Sequence, residues 1–176
     1  MAAARPPDLL SDILVFPDRL RQRRFPVLDA DGRVAAEIGA SWTGLSFAAV
    51  DGAGQPLCAA SARALGLSGR WRATGPGGAA LLSFTRSAWR SRAEVTLARG
   101  GVFVVRGSAW RRDFAVTDEA DATVLAATPR TSALSLHPHD FAVQLRGGGY
   151  HLAEIVALIQ IWRMVRKSEG DAAVTG

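Results

Sequence analysis

The sequence predicts a mainly β fold: an antiparallel β-barrel of about twelve strands closed around a C-terminal hydrophobic α-helix. Three observations predict it. Short strand-like runs recur along the chain, joined in pairs by turn chemistry. Within those runs apolar and polar residues alternate, so one face of each strand wants an apolar partner and the other tolerates water. Finally, HLAEIVALIQIWRMVR, residues 151–166, is apolar nearly all round a helical wheel, and such a helix is buried on every side.

In chain order, residues 1–8 read as a flexible tail rich in Ala and Pro. Ile13–Phe16 is an isolated strand candidate. It precedes RLRQRR, 19–24, which reads either as a short amphipathic turn or as part of the first strand. The clearest hairpin is FPVLDADGRVAAEI, with Asp31-Gly32 between two extended segments. FAAVDGAGQPLCAA follows, with Gly52 and Gly54 in its turn. GRWRATGPGGAALLSF turns at 75–78, EVTLARGGVFVVRG at Gly100-Gly101, DFAVTDEADATVLAA through an acidic loop, and LSLHPHDFAVQL at Pro138. Counting both arms of these hairpins yields roughly twelve strands, with Ile13–Phe16 as a further candidate. Phe141, Val143 and Leu145 share one face, and Val95 with Leu97 and Phe114 with Val116 alternate in the same way. No Pro/Ser-rich linker interrupts the chain, so 9–167 reads as a single domain followed by a flexible tail at 168–176.

The apolar helix tests the membrane alternative. Its core, Leu152–Val165, is 14 residues, or about 21 Å at the helical rise. A bilayer core is about 30 Å thick and needs ~20 apolar residues. Glu154 and Arg163 shorten the uncharged part further, so no transmembrane span is expected. An interfacial helix needs a broad polar face, and none exists here. The remaining solution is that the strands wrap the helix, which also removes exposed strand edges. Ala153 and Ala157 mark the side expected to lie closest to the wall.

The 176 residues suffice for a substantial core. The net charge is +5, and Lys167 is the only lysine. Such an excess of Arg, beside much Ala and Gly, fits a GC-rich coding composition. It leaves a modest attraction to anionic partners. Cys58 is the single cysteine, so no intrachain disulfide forms. The N-terminus lacks the uninterrupted apolar run of a secretory signal. These features predict a cytoplasmic protein, peripheral at most at the inner membrane surface.

The order of these elements resembles the tubby C-terminal-like superfamily, which includes tubby-like proteins, the LURP-one-related proteins and the phospholipid scramblases. The resemblance covers about residues 25–166. It rests on the run of hairpins such as FPVLDADGRVAAEI and DFAVTDEADATVLAA, then HDFAVQL, a short loop and a hydrophobic C-terminal helix. HDFAVQL followed by the helix looks most like the scramblase and LURP-one-related branch. The resemblance implies a twelve-stranded barrel around a central helix. Tubby domains bind phosphoinositides through basic residues on the barrel exterior, which implies anionic lipid as a ligand class without assigning positions here. Scramblases carry an acidic calcium segment before the final helix. Here that place reads HPHD, where Asp140 is the one hard oxygen ligand, and calcium takes about six to eight oxygens. This departure speaks against calcium-driven scrambling.

Tryptophan is followed by arginine at Trp71, Trp89, Trp110 and Trp162. On a strand, Arg70 and Arg72 lie on one face with Trp71 on the other, and Arg90 and Arg92 on one face with Trp89 on the other. One reading is Trp inside and solvated Arg outside. The sharper reading joins Arg70, Arg72, Arg90, Arg92, Arg111 and Arg112 into an exterior patch that binds lipid phosphates. Nucleic acid is a weaker version, because the aromatics show no exposed stacking pattern. His137 and His139, with Asp140, His151 or Cys58, fall short of a convincing zinc set, which takes about three or four ligands. Asp118, Glu119 and Asp121 lack EF-hand spacing and read as a solvated hairpin tip. Gly147-Gly148-Gly149 matches no phosphate-binding motif and suits a sharp turn into the barrel. No catalytic Ser/His/Asp set or carboxylate pair emerges, and no cofactor or metal is implied. The expected function is that of a non-catalytic barrel binding anionic phospholipid or phosphoinositide headgroups. The alternatives are a structural or adaptor protein with a protein partner, or a scramblase-like protein lacking the calcium segment.

Overall fold

The computed structural model describes residues 13–16, 23–62, 69–86, 92–107, 113–129, 141–146 and 150–174, with side chains from Val15 to Val165. Its strands are β1 Ile13–Phe16, β2 Arg24–Leu28, β3 Val34–Ala40, β4 Ser46–Asp51, β5 Pro56–Ala62, β6 Arg70–Thr74, β7 Ala80–Arg86, β8 Arg92–Leu97, β9 Val102–Gly107, β10 Phe114–Thr117, β11 Thr123–Pro129 and β12 Phe141–Leu145. One helix, α1 Leu152–Val174, follows them. Each strand pairs antiparallel with its sequence neighbours, and β1 closes the ring by pairing with both β2 and β12. The result is a closed antiparallel barrel around the helix, as the sequence predicts.

Strand membership differs from the expectation. Ile13–Phe16 is one of the twelve, seated opposite Phe141–Gln144. The first arm of LSLHPHD lies outside the described residues together with the turn at Pro138. A closed ring also sets a parity condition. When antiparallel neighbours follow one another round a ring, only an even number lets the last strand run antiparallel to the first. RLRQRR also divides. Arg24 opens β2, whereas 19–22 lie outside the described residues, as do tail residues 1–8 and Gly147–Gly149.

Three hairpins use one turn with three spellings. Asp29 Oδ1 accepts from the amides of Asp31 and Arg33 at 2.9 and 2.8 Å. Asp51 does the same for Ala53 and Gln55, and Asp118 for Ala120 and Ala122. The residue three positions after each Asp has positive φ: Gly32 at 78°, Gly54 at 80° and Asp121 at 61°. This is a three-residue loop ending in a bulge, and the strand register shifts beside each one. In the first hairpin, Gly32 therefore supplies the bulge residue rather than half of a two-residue turn.

Pairing parity also sorts the connections. The turns after β2, β4, β6, β8 and β10 share one end of the barrel, the hairpin rim. The links after β1, β3, β5, β7, β9 and β11 share the other, the link rim. Along the wall, inward positions register with one another: Ala62, Trp71, Phe84, Val95 and Phe103 are successive partners across five strands. Outward positions include Glu37, Arg72, Glu94, Thr96 and Gln144, all exposed. A membrane-spanning barrel turns an apolar band to lipid instead.

The helix fills the barrel. Leu152, Ile155, Val156, Ala157, Leu158, Ile159, Ile161, Trp162 and Val165 are all buried. It runs nearest β5 and β7, and the inward residues of β5 include the small Cys58 and Ala60. Trp162 occupies the space left by Gly107: a Cβ there would stand 2.6 Å from the indole Cζ2. Phe84 and Phe114 pack around the same indole, with ring centroids 6.3 and 5.8 Å away.

The helix outlasts its expected end at 166 and continues to Val174. Lys, Glu and Ala in KSEGDAAV favour helix, and one glycine costs only about 1 kcal/mol, which a helix already nucleated in the barrel absorbs. Among the described residues, no helix is long and apolar enough to cross a membrane.

Burial pushes the Cys58 thiol from its ordinary 9.0 up to about 12. The folded thiol therefore stays protonated where the unfolded one ionises. Its contribution is complete below about pH 9 and is lost as pH climbs towards 12, at about 1.4 kcal/mol per pH unit. Tyr150, raised by burial first and by the Asp118 carboxylate second, acts in the same direction. Urea midpoints compared at about pH 8 and pH 10 should fall less in Cys58→Ala than in the parent. An identical fall in both proteins would show that the thiol is not protected.

Candidate functional site

At the hairpin rim, the helix is seated by a polar clamp. His151 precedes the first helical residue, and its amide donates to Glu154 Oε2 at 3.2 Å, half of a capping box. The same carboxylate, 4% exposed, accepts from Arg99 Nε at 2.7 Å and Nη2 at 3.1 Å. Arg99 comes from the β8–β9 turn and its guanidinium also lies 5.9 Å from the Tyr150 ring centroid. Glu154 holds Arg99 above its ordinary pKa, chiefly through that hydrogen bond. Beside the clamp is an apolar cleft of about 20 Å³, lined by Leu97, Phe103, Val124, Leu125, Tyr150, Glu154, Ile155 and Leu158. That volume holds about one water molecule and is too small for a substrate.

The acidic loop is committed to its own turn and to the neighbouring strand β9. Asp118 bonds the turn amides, Glu119 Oε1 accepts from Val102 N at 3.1 Å, and Asp121 pairs with Arg106 at 3.2 Å. Among the described residues no three of His, Cys, Asp and Glu come together as a metal set. His137, His139 and Asp140 lie outside the described residues.

Of the predicted arginine patch, Arg70, Arg72 and Arg92 are described, and Arg90, Arg111 and Arg112 are not. Arg70 and Arg72 point outward from β6, and Trp71 between them is buried. Arg92 lies two strands away on β8. Its register partner on β9 is Arg106, also exposed. Among the described residues, the row running from Arg70 passes Thr85 and then Glu94. Arg106 also shares its charge with Asp121, although an ion pair this exposed is worth little.

Connectivity adds what the strand pattern missed. Arg23, Arg24, Arg70, Arg86 and Arg92 sit at or next to the link rim, where Asp113 and Glu94, the latter in register with Arg70, are the acids among the described residues. The guanidinium of Arg106 reaches instead to Asp121 of the hairpin rim. The hairpin rim carries Asp29, Asp31, Asp51, Asp118, Glu119, Asp121 and Glu154 against Arg33, Arg99 and Arg146. Among the described residues the barrel is thus richer in arginine at one end and richer in carboxylates at the other. A signal for this was present: the arginines open even-numbered strands or close odd-numbered ones, and parity sends both to the same end. The sequence reading also passed over Trp42, the one tryptophan not followed by Arg, which is 81% exposed in the β3–β4 link.

Comparison with known proteins places this architecture. The LURP-one-related family profile matches residues 17–162. The chain belongs to the LURP-one-related family. In this LURP-one-related chain the barrel matches the X-ray structure of a protein from Arabidopsis thaliana with a TM-score of 0.66 at 20% sequence identity, over 92% of this chain and 96% of that one. At that identity the likeness is one of fold. No curated protein matches the chain.

Proposed function

We propose that this LURP-one-related barrel is a non-catalytic module that binds anionic phospholipid headgroups at the cytoplasmic face of a membrane through its arginines. The observation that carries the reading is the separation of charge between the two rims. Arginine on a surface facing an anionic leaflet contributes about 1 kcal/mol per residue, and its planar fork suits phosphate oxygens. The test is cosedimentation with vesicles of mixed phosphatidylserine and phosphatidylcholine at low and high salt. Changing Arg70, Arg72, Arg90 and Arg92 to Ser should weaken binding by roughly two to three orders of magnitude. Binding should also fall with salt. Equal pelleting with purely neutral vesicles overturns the reading.

A second reading rests on Glu94, which stands on the outer face in register with Arg70 and two residues from Arg92 on β8. A mixed-charge surface also suits a protein partner. A co-purifying protein whose binding survives loss of the arginines favours that reading.

A further inference from the structure

We infer that the barrel docks on an anionic bilayer end-on, link rim down, with Trp42 inserted at the headgroup level as its interfacial anchor. This rests on the membrane-surface reading and adds orientation and an apolar contact to it.

Trp42 is the most exposed large apolar side chain among the described residues, at 81%. A lone exposed aromatic means little by itself. Its setting is what points to a ligand. The turn that carries it is tied together internally. Ser41 N donates to the Ser46 carbonyl at 2.9 Å and Gly44 N to the Ser41 carbonyl at 3.2 Å. Ser41 Oγ accepts from Ser46 N at 3.2 Å, and Thr43 Oγ1 accepts from Leu45 N at 3.3 Å. The two hydroxyls lie 3.0 Å apart. Gly44 takes the positive φ, 69°, that the turn requires. The indole is therefore presented by an ordered turn, which lowers the entropic cost of engaging a surface.

The surroundings match a membrane interface. Ala40 donates to the Arg23 carbonyl, and Gly39 is the register partner of Arg24, so both arginines start the strand beside the Trp42 turn. Both are exposed. Parity places Trp42 at the same end as Arg70, Arg86 and Arg92. Indole favours the headgroup level, where its apolar body and N–H donor are both accommodated, while the arginines meet lipid phosphates. The acidic hairpin rim would be repelled by the same membrane, so only one end of the barrel can face it.

The experiment compares the parent, Trp42→Ser and Trp42→Phe on phosphatidylserine/phosphatidylcholine vesicles with and without brominated acyl chains. Circular dichroism melts check that the variants fold like the parent. Trp42 fluorescence is read as parent minus Trp42→Phe, which cancels the other tryptophans. The expected result is roughly tenfold weaker binding for Trp42→Ser, and a Trp42 emission that shifts blue and is quenched by bromine on binding. If the parent binds but Trp42→Ser binds equally and the difference emission is unquenched, end-on docking is overturned and the lipid reading stands. If the parent does not bind anionic vesicles at all, both fall.

Discussion

Replacing Ile159 with Asp abolishes the folded barrel. Ile159 is fully buried at mid-helix, and its neighbours Val156, Ile155, Leu158 and Trp162 are buried too. The loss has two parts. Removing the isoleucine forfeits about 1.5–3 kcal/mol of burial, and a carboxylate placed there without a partner costs several kcal/mol more. A domain holds only about 5–15 kcal/mol in total, so most or all of it is consumed. The expected outcome is insoluble protein, or soluble protein with no cooperative thermal transition. The variant also separates a core helix from a membrane anchor. A soluble variant that melts like the parent, or one merely released from membranes, contradicts a helix enclosed by strands.

Arg99→Met is the second large effect, acting through what it leaves behind. Glu154 is almost completely buried and has both oxygens bonded to the guanidinium. Removing one partner of a buried pair strands the other charge, at a cost of about 3–5 kcal/mol when both are buried. Arg99 is 44% exposed, so water screens part of the interaction and about 2–4 kcal/mol is expected. In a domain of this size that lowers the melting temperature by roughly 5–15 °C. Adding Glu154→Leu to Arg99→Met should restore at least half of the loss, because the double variant leaves no orphaned charge. Losses that simply add show that the two residues act independently and that the clamp does not seat the helix.

The strands were legible because alternation and turn chemistry are local. Asp29, Asp51 and Asp118 each announce a hairpin within five residues, and their carboxylates close the turn whatever lies elsewhere. Ile13–Phe16 was harder. Four apolar residues carry no turn partner of their own, and their place depends on β12, far along the chain. The helix end was misjudged because polar residues beyond Val165 read as a tail, whereas a helix started in the core propagates through them.

The candidate site was legible only in part. Arg70 and Arg72 on the outer face with Trp71 inside follow from period two alone. Their relation to Arg92 does not, because the register through β7 sets Glu94, and not Arg92, level with Arg70. Trp42 differs from the other tryptophans in the sequence only in lacking a following Arg, which does not reveal its exposure.

From its residues alone, then, this chain specifies a β-barrel with a helix inside it. Each strand has an apolar face to cover, and residues 152–165 form a helix too short to span lipid and too apolar for water. Those are surface-burial constraints, and they act on every segment where it stands. Tertiary closure decided the remainder. It chose Ile13–Phe16 as the strand that completes an even ring, gathered arginines from separate strand ends at one rim, and set Trp42 among them. Such juxtapositions depend on which strand ends share a side of the barrel, a property of the closed ring that no single segment carries.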